Sequence, residues 1–345
     1  MEKFKTKNEV RKWLDKYKVE NYEIKDDLTV NVQGDVILIS KNLSLLPIQF
    51  GVVHGHFSID SNRLTNLNGC PHSVGRYFSC YGNVLTNLQG GPNKVVGYYS
   101  CGSNQLNDLR GAPREILGDF YCDFNNLESL EGCPSYVGED FSCTYNKLKS
   151  LRYGPKVVGG SYECNNNRLE NLQGAPKEVV FSFIAHDNNF TNLKGSPKQI
   201  KADFNCDHSN LCSLEGAPSF VGGDFNCAWN DLESLDGLSL HIGGNLEATN
   251  NPLNSLGTIT SMVCGDFHFG ESSEKPLKTP LNLVFPTAKL VKDEGFEVSS
   301  HSFNQTVASI KEKVLLTKQL AAFQAINTTQ SPTVKQAQSK PKFKL

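Results

Sequence analysis

Gly118-Asp119-Phe120-Tyr121-Cys122-Asp123-Phe124-Asn125-Asn126-Leu127-Glu128-Ser129-Leu130-Glu131-Gly132-Cys133-Pro134 is one statement of a phrase that returns every 21 residues along most of this 345-residue chain. One column of the 21-residue alignment reads Cys80, Cys101, Cys122, Cys143, Cys164, Ala185, Cys206, Cys227 and Ala248. Two places before it stand Phe57, Phe78, Tyr99, Phe120, Phe141, Tyr162, Phe183, Phe204, Phe225, Leu246 and Phe267. The two columns share a period of two, which predicts a short strand with both pointing inward. An asparagine column (Asn62 to Asn188) and two leucine columns (Leu64 to Leu253, Leu67 to Leu256) follow.

After the second leucine most coils carry Gly-x-Pro, as in Gly111-Ala112-Pro113, then a valine or isoleucine such as Val137, Val158 or Ile200. Proline lacks an N–H and fixes φ, so the return limb is expected to be extended or polyproline-like. One coil buries too few apolar side chains to offset the entropy of ordering its backbone, so it cannot fold alone. Stacking removes the deficit, because neighbouring strands pair in parallel and each apolar layer covers the next.

The order Phe-x-Cys-x-x-Asn-x-Leu-x-x-Leu resembles the leucine-rich-repeat signature, over residues 34–269. The short period and proline-containing limb look like the short bacterial class. The wording Gly-Asp-Phe-x-Cys, with the leader Leu28-Thr29-Val30-Asn31-Val32, is similar to repeat proteins of tailed bacteriophages. The resemblance implies an α/β solenoid of leucine-rich-repeat type: a parallel sheet on one face, extended return limbs and helical caps. It also implies that the asparagines bond backbone groups between coils.

With 38% hydrophobic residues and a net charge of −2, nothing in the composition demands nucleic acid or a membrane. The start Met1-Glu2-Lys3-Phe4-Lys5 lacks an export core, which places the expected compartment in the cytoplasm, that of the bacterial host if the protein is phage-encoded, with the virion as the alternative. Seven of the eleven cysteines occupy the inward column, where they are expected to be buried and reduced. Cys206, His208 and Cys212 lack metal-site spacing and the repeat phase points them apart, so no metal and no cofactor is expected.

Residues 1–33 read as an N-terminal cap. Thr6-Lys7-Asn8-Glu9 is a capping box, and Val10, Trp13, Leu14 and Tyr17 make a helical stripe over about 7–18. Leu28, Val30 and Val32 alternate as a strand beside the first coil. The solenoid occupies 34–270. A C-terminal cap is expected over 271–326, with a helix from about 303, and a disordered basic tail over 327–345.

No hydrolase elbow, zinc helix, phosphate loop or dinucleotide fingerprint occurs, so the chain reads as non-enzymatic. Interest falls on the outward places flanking the Phe and Cys columns. Thirty-three such places in eleven coils hold ten acids, among them Asp119, Asp123, Asp140, Asp203, Asp207 and Asp224, and no Lys or Arg. Tyr77, Tyr81, Tyr98, Tyr121, Phe124, Tyr145 and Trp229 are interleaved with them, and Tyr121, Phe124 and Tyr145 are expected in mutual contact on adjacent coils. These thirteen residues are the candidate partner-binding set, for a protein with a basic or mixed surface; nucleic acid is disfavoured and oligomeric state is left open. The alternative is a virion component docked through the C-terminal helix and tail.

Overall fold

Thr6 is extended (φ −134°), its hydroxyl accepts the Glu9 N–H at 3.2 Å, and the Glu9 carboxylate accepts the Thr6 N–H at 2.9 Å. This reciprocal cap starts α1 (Lys7–Lys16), which buries Val10, Trp13 and Leu14. The helix stops two residues short of the expected end because Lys18 takes a left-handed conformation (φ 55°). The computed structural model describes residues 4–239, 241–255, 261–269 and 290–292. The expected C-terminal helix and the tail over 327–345 lie outside the described residues.

The leader makes a hairpin. Strand β1 (Tyr22–Ile24) pairs antiparallel with β2 (Thr29–Val32), and β2 runs parallel to β4 (Gln49–Val53), so the cap docks on the return limb of the first coil. Strand β3 (Val36–Ile37) opens the main sheet. From it, two-residue strands at Phe57–Ser58, Phe78–Ser79, Tyr99–Ser100, Phe120–Tyr121 and onward to Phe267–Phe269 pair in parallel, each residue with its equivalent 21 places on. Leu290–Lys292 adds a further parallel strand beside Phe267–Phe269, within a segment whose prolines gave no strand signal.

Among the described residues the Phe and Cys columns, both leucine columns and the return-limb column that includes Val137, Val158 and Ile200 are buried, forming one core. Successive rings of the Phe column pack at centroid distances from 4.8 Å (Phe141–Tyr162) to 6.1 Å (Phe120–Phe141). Two coils carry Tyr instead of Phe, and both make room for the hydroxyl eight residues earlier. Gly91 and Gly154 stand where most other coils have Cys, Ala or Ser, and a Cβ there would lie 3.4 Å from the Tyr99 hydroxyl and 3.0 Å from that of Tyr162. The coil with Leu246 inverts the trade, with Leu238 in the small-residue place; both leucines are buried.

The asparagine ladder ties coil to coil. Asn125 Oδ1 accepts the Leu106 N–H of the preceding coil at 3.0 Å, and its Nδ2 donates to Cys101 O and Cys122 O at 3.1 Å each. Asn62, Asn83, Asn104, Asn146, Asn167, Asn188, Asn230 and Asn251 repeat the pattern. Each satisfies groups the turn would otherwise bury unpaired.

The return limb is extended and, beyond the sequence expectation, forms short parallel ladders of its own. Proline contributes no donor, but the ladder bonds fall after it, as in Ser135 N–H to Arg114 O at 2.9 Å. This second ladder is broken into three sheets, with gaps between Lys94–Val95 and Glu115–Ile116 and between Val157–Val158 and Glu178–Val179. The place after each return strand tracks the spacing of the ladder. A Cβ on Gly138 or Gly159 would stand 2.0 Å from the carbonyl oxygen of the coil before, so glycine permits close stacking. Both gaps fall where that place holds Leu117 or Val180. At Val96 and Lys201 the bond persists at 3.2 and 3.1 Å, against 2.8–3.0 Å at Gly75, Gly138, Gly159, Gly222 and Gly243. His54 and Cys264, at the two ends of the array, keep theirs at 3.0 and 2.9 Å.

Candidate functional site

The strands place three columns of side chains on the outer face of the main sheet. The first of them, before the Phe column, has a structural task that composition does not reveal. Asp119 Oδ1 accepts the Asp140 N–H at 2.9 Å, Asp140 Oδ1 accepts the Ser161 N–H at 2.7 Å, and Asp203 and Asp224 do the same for Asp224 and Asn245 at 2.9 and 2.6 Å. Lysine and arginine have no acceptor to offer at such a place. The lack of basic residues in this column therefore has a cause inside the fold and is not by itself the mark of a binding face. The glycine before the amide belongs to the same device: a Cβ on Gly160 would lie 2.2 Å from Asp140 Oδ1.

Acids in the third column, after the Cys column, pair with hydroxyls and amides of the next coil. Asp60 Oδ1 takes the Ser79 hydroxyl at 2.6 Å and the Tyr81 N–H at 2.9 Å. Asp123 Oδ1 takes the Ser142 hydroxyl, the Thr144 N–H at 2.9 Å and the Thr144 hydroxyl at 3.0 Å. Asp207 departs from this pattern: its Oδ1 is buried without a hydrogen-bond partner. Glu163, in the middle column and half-buried, has its carboxyl pushed above the ordinary range by burial, with Asp123 and Asp140 adding to the effect.

The aromatic residues fall into separate groups. His56, Tyr77 and Tyr98 stack at 3.9 and 4.6 Å, with Tyr121 following at 6.4 Å, and all of these rings are half-buried. Burial, helped by Asp60 and Asp35 at Tyr77 and by Asp119 at Tyr98 and Tyr121, raises their hydroxyl pKa values, so they remain donors. Phe124 and Tyr145 form a parallel pair at 4.4 Å, and His208 and Trp229 another at 5.4 Å. The expected trio of Tyr121, Phe124 and Tyr145 is thus corrected: Tyr121 packs toward Tyr98, with the Asp123 column between it and the exposed pair.

The column that carries these pairs is left-handed in every coil from Ser40 to Asn250. Its φ values are 53° at Ser61, 68° at Gly82, 54° at Phe124, 51° at Tyr145, 48° at His208 and 53° at Trp229. Glycine, asparagine and aspartate suit such a place, and Gly82, Asn166, Asp187 and Asn250 occupy it elsewhere. A bulky ring there is strained. Phe124, Tyr145 and Trp229 are nevertheless 51%, 49% and 55% exposed. Nothing in the core is gained by putting rings at these places.

On the opposite side Leu117, Val157 and Phe181 are exposed, with Lys156, Lys177, Lys198 and Arg114 among them. The Leu117 gap opens a groove of about 680 Å³ lined in part by Lys94, Val96, Pro113 and Arg114. Burial pushes the Cys122 and Cys143 thiols well above their ordinary range, so they are neutral. None of the eleven cysteines, all among the described residues, forms a disulfide, and Cys212 and Cys264 are the exposed ones. Among the described residues no three His, Cys, Asp or Glu side chains are grouped to hold a metal, and no helix is long and apolar enough to cross a membrane.

No protein-family model and no curated protein matches the chain. Among solved structures, YopM from Yersinia enterocolitica is similar at 17% identity and a TM-score of 0.42, over 75% of this chain and 67% of that one. YopM from Yersinia pestis, described as a leucine-rich effector protein, is similar at 15% identity and a TM-score of 0.34, over 75% of this chain and 88% of that one.

Proposed function

We propose that this chain is a non-enzymatic scaffold, phage-encoded, that binds a host or viral protein on the outer face of its main sheet. The observation that carries the proposal is the placement of exposed rings at left-handed backbone positions. A non-glycine residue there costs roughly 1 kcal/mol or more, and Phe124, Tyr145 and Trp229 recover little of it by burial. Strain held at an exposed surface motivates a role outside folding. Rigid exposed aromatics are the residue type that anchors protein interfaces. Carboxylates flank them and no lysine or arginine shares their columns, which favours a partner with a basic or mixed surface. The phage attribution rests on the Gly-Asp-Phe-x-Cys wording of the repeat.

The test starts by capturing partners from infected and uninfected bacterial cells with the immobilised protein, and by searching purified virions for the chain by mass spectrometry. Phe124→Ser with Tyr145→Ser places at both sites the residue found at Ser61 and Ser103, so the fold is preserved. This pair should raise the dissociation rate of the captured partner at least tenfold. Unchanged binding there, together with loss of binding on charge reversal at Lys156, Lys177 and Lys198, would move the working surface to the return limb. Recovery of the chain in virions with no partner on this face would favour the structural role instead.

A further inference from the structure

The two exposed ring pairs differ in the carboxylate beside them. Asp123, next to Phe124, has its Oδ1 filled by two hydroxyls and an amide of the following coil. Asp207, next to His208, occupies the same column, but the following coil reads Asn226-Cys227-Ala228 where the earlier one reads Ser142-Cys143-Thr144. Ala228 has no hydroxyl, and its N–H is taken by Asn226 Oδ1 at 3.0 Å. The donors that serve Asp60 and Asp123 are therefore missing. Asp207 Oδ1 is left with none, and Oδ2 has only His208 Nδ1, at 3.3 Å. The Asp207 side chain is 20% exposed, so a group from outside can reach the carboxylate although Oδ1 itself is covered.

We propose that Asp207, His208 and Trp229 form the anchor site for an arginine side chain of the partner, a deepening that rests on the strand-face reading above. The carboxylate supplies the acceptors that a guanidinium fork engages, reached by rotation about the terminal side-chain torsion of Asp207. The His208–Trp229 stack, with Trp229 half-exposed, supplies the ring face on which a guanidinium packs better than an ammonium. No lysine or arginine of the described residues pairs with Asp207, so an arginine from outside would compete only with His208. The Phe124–Tyr145 pair lacks such a vacancy and serves as an apolar contact.

Trp229 reports on its own site. The chain has two tryptophans, and Trp13→Phe removes the one in the helical cap. In that background, at low salt, hexa-arginine should change Trp229 emission saturably and hexa-citrulline, its neutral counterpart, should not. Asp207→Asn should weaken hexa-arginine binding about tenfold, and Asp60→Asn, in the same column with its donors in place, by less than about twofold, with unfolding midpoints checked for each. Absence of a saturable response, an equal response to hexa-citrulline, or a loss at Asp60→Asn matching that at Asp207→Asn would overturn the assignment. If it is overturned while Phe124→Ser with Tyr145→Ser still releases the captured partner, the strand-face reading stands with another anchor; if that pair also has no effect, the face itself is wrong.

Discussion

The main sheet runs unbroken from Val36–Ile37 through every coil to Phe267–Phe269, whereas the return limb, with the same 21-residue spacing, parts into three sheets. The two ladders differ in what links successive coils. On the strand side, asparagine and aspartate side chains reach a neighbouring coil and bond its backbone, so each step has side-chain support. On the return side the ladder depends on backbone approach, which is closest at glycine and lapses at Leu117 and Val180. A face fixed by side-chain bonds can hold strained rings in place. A face with gaps between its coils is less able to do so.

Three substitutions sharpen the contrast. Asn146→Leu should have the largest effect, because it strips the buried Leu127 N–H of its acceptor and takes one of two donors from the Cys122 carbonyl, which keeps Asn125. With about 1–3 kcal/mol for the unpaired N–H and about 1 kcal/mol for the lost second donor, chemical denaturation should show a loss of about 3 kcal/mol. A loss below about 1 kcal/mol would mean that the ladder does not hold the coils. Gly138→Leu should open a third gap in the return limb, as at Leu117, at a cost of about 2 kcal/mol, from two lost ladder bonds at about 1 kcal/mol each. Faster amide exchange at Ser135 and Gly138, with Phe120 and Phe141 unchanged, would confirm it; spread to the main sheet would show that the two ladders are one unit. Tyr153→Gly should raise stability by about 1 kcal/mol. Tyr153 is left-handed (φ 67°) in a column that is otherwise glycine from Gly69 to Gly237, and it is 71% exposed. A drop in stability would show that the tyrosine packs in a way its exposure does not suggest.

The solenoid was legible because period and phase fix which side chains point inward: the Phe, Cys and leucine columns are buried as their alternation requires. The asparagine bonds were implied by the family resemblance. Less legible was anything that depends on the distance between coils. The acceptor role of Asp119 and Asp140 lies in amides 21 residues away, so the acid count suggested a binding face where part of the cause is structural. The return-limb ladder was hidden by the prolines, whose missing donors precede the bonded places. The left-handed column carried a sequence signal, since Gly82, Asn166, Asp187 and Asn250 are residues that accept that conformation. Aligning those positions would have separated Phe124, Tyr145 and Trp229 from the half-buried Tyr77, Tyr98 and Tyr121. The pairing of Tyr99 with Gly91 and Tyr162 with Gly154 was also present as covariation within the repeat.

Four exposed tyrosines divide evenly between the regions compared. Tyr81 and Tyr145 stand on the strand face, 44% and 49% exposed, while Tyr136 lies on the return limb and Tyr153 at the corner leading into it. Nitration of the free protein followed by peptide mass spectrometry should modify all four. With the captured partner bound, protection should appear at Tyr145, and at Tyr81 if the interface extends that far, while Tyr136 and Tyr153 react as before. Protection of Tyr136 and Tyr153, with Tyr145 still reactive, would contradict binding on the strand face.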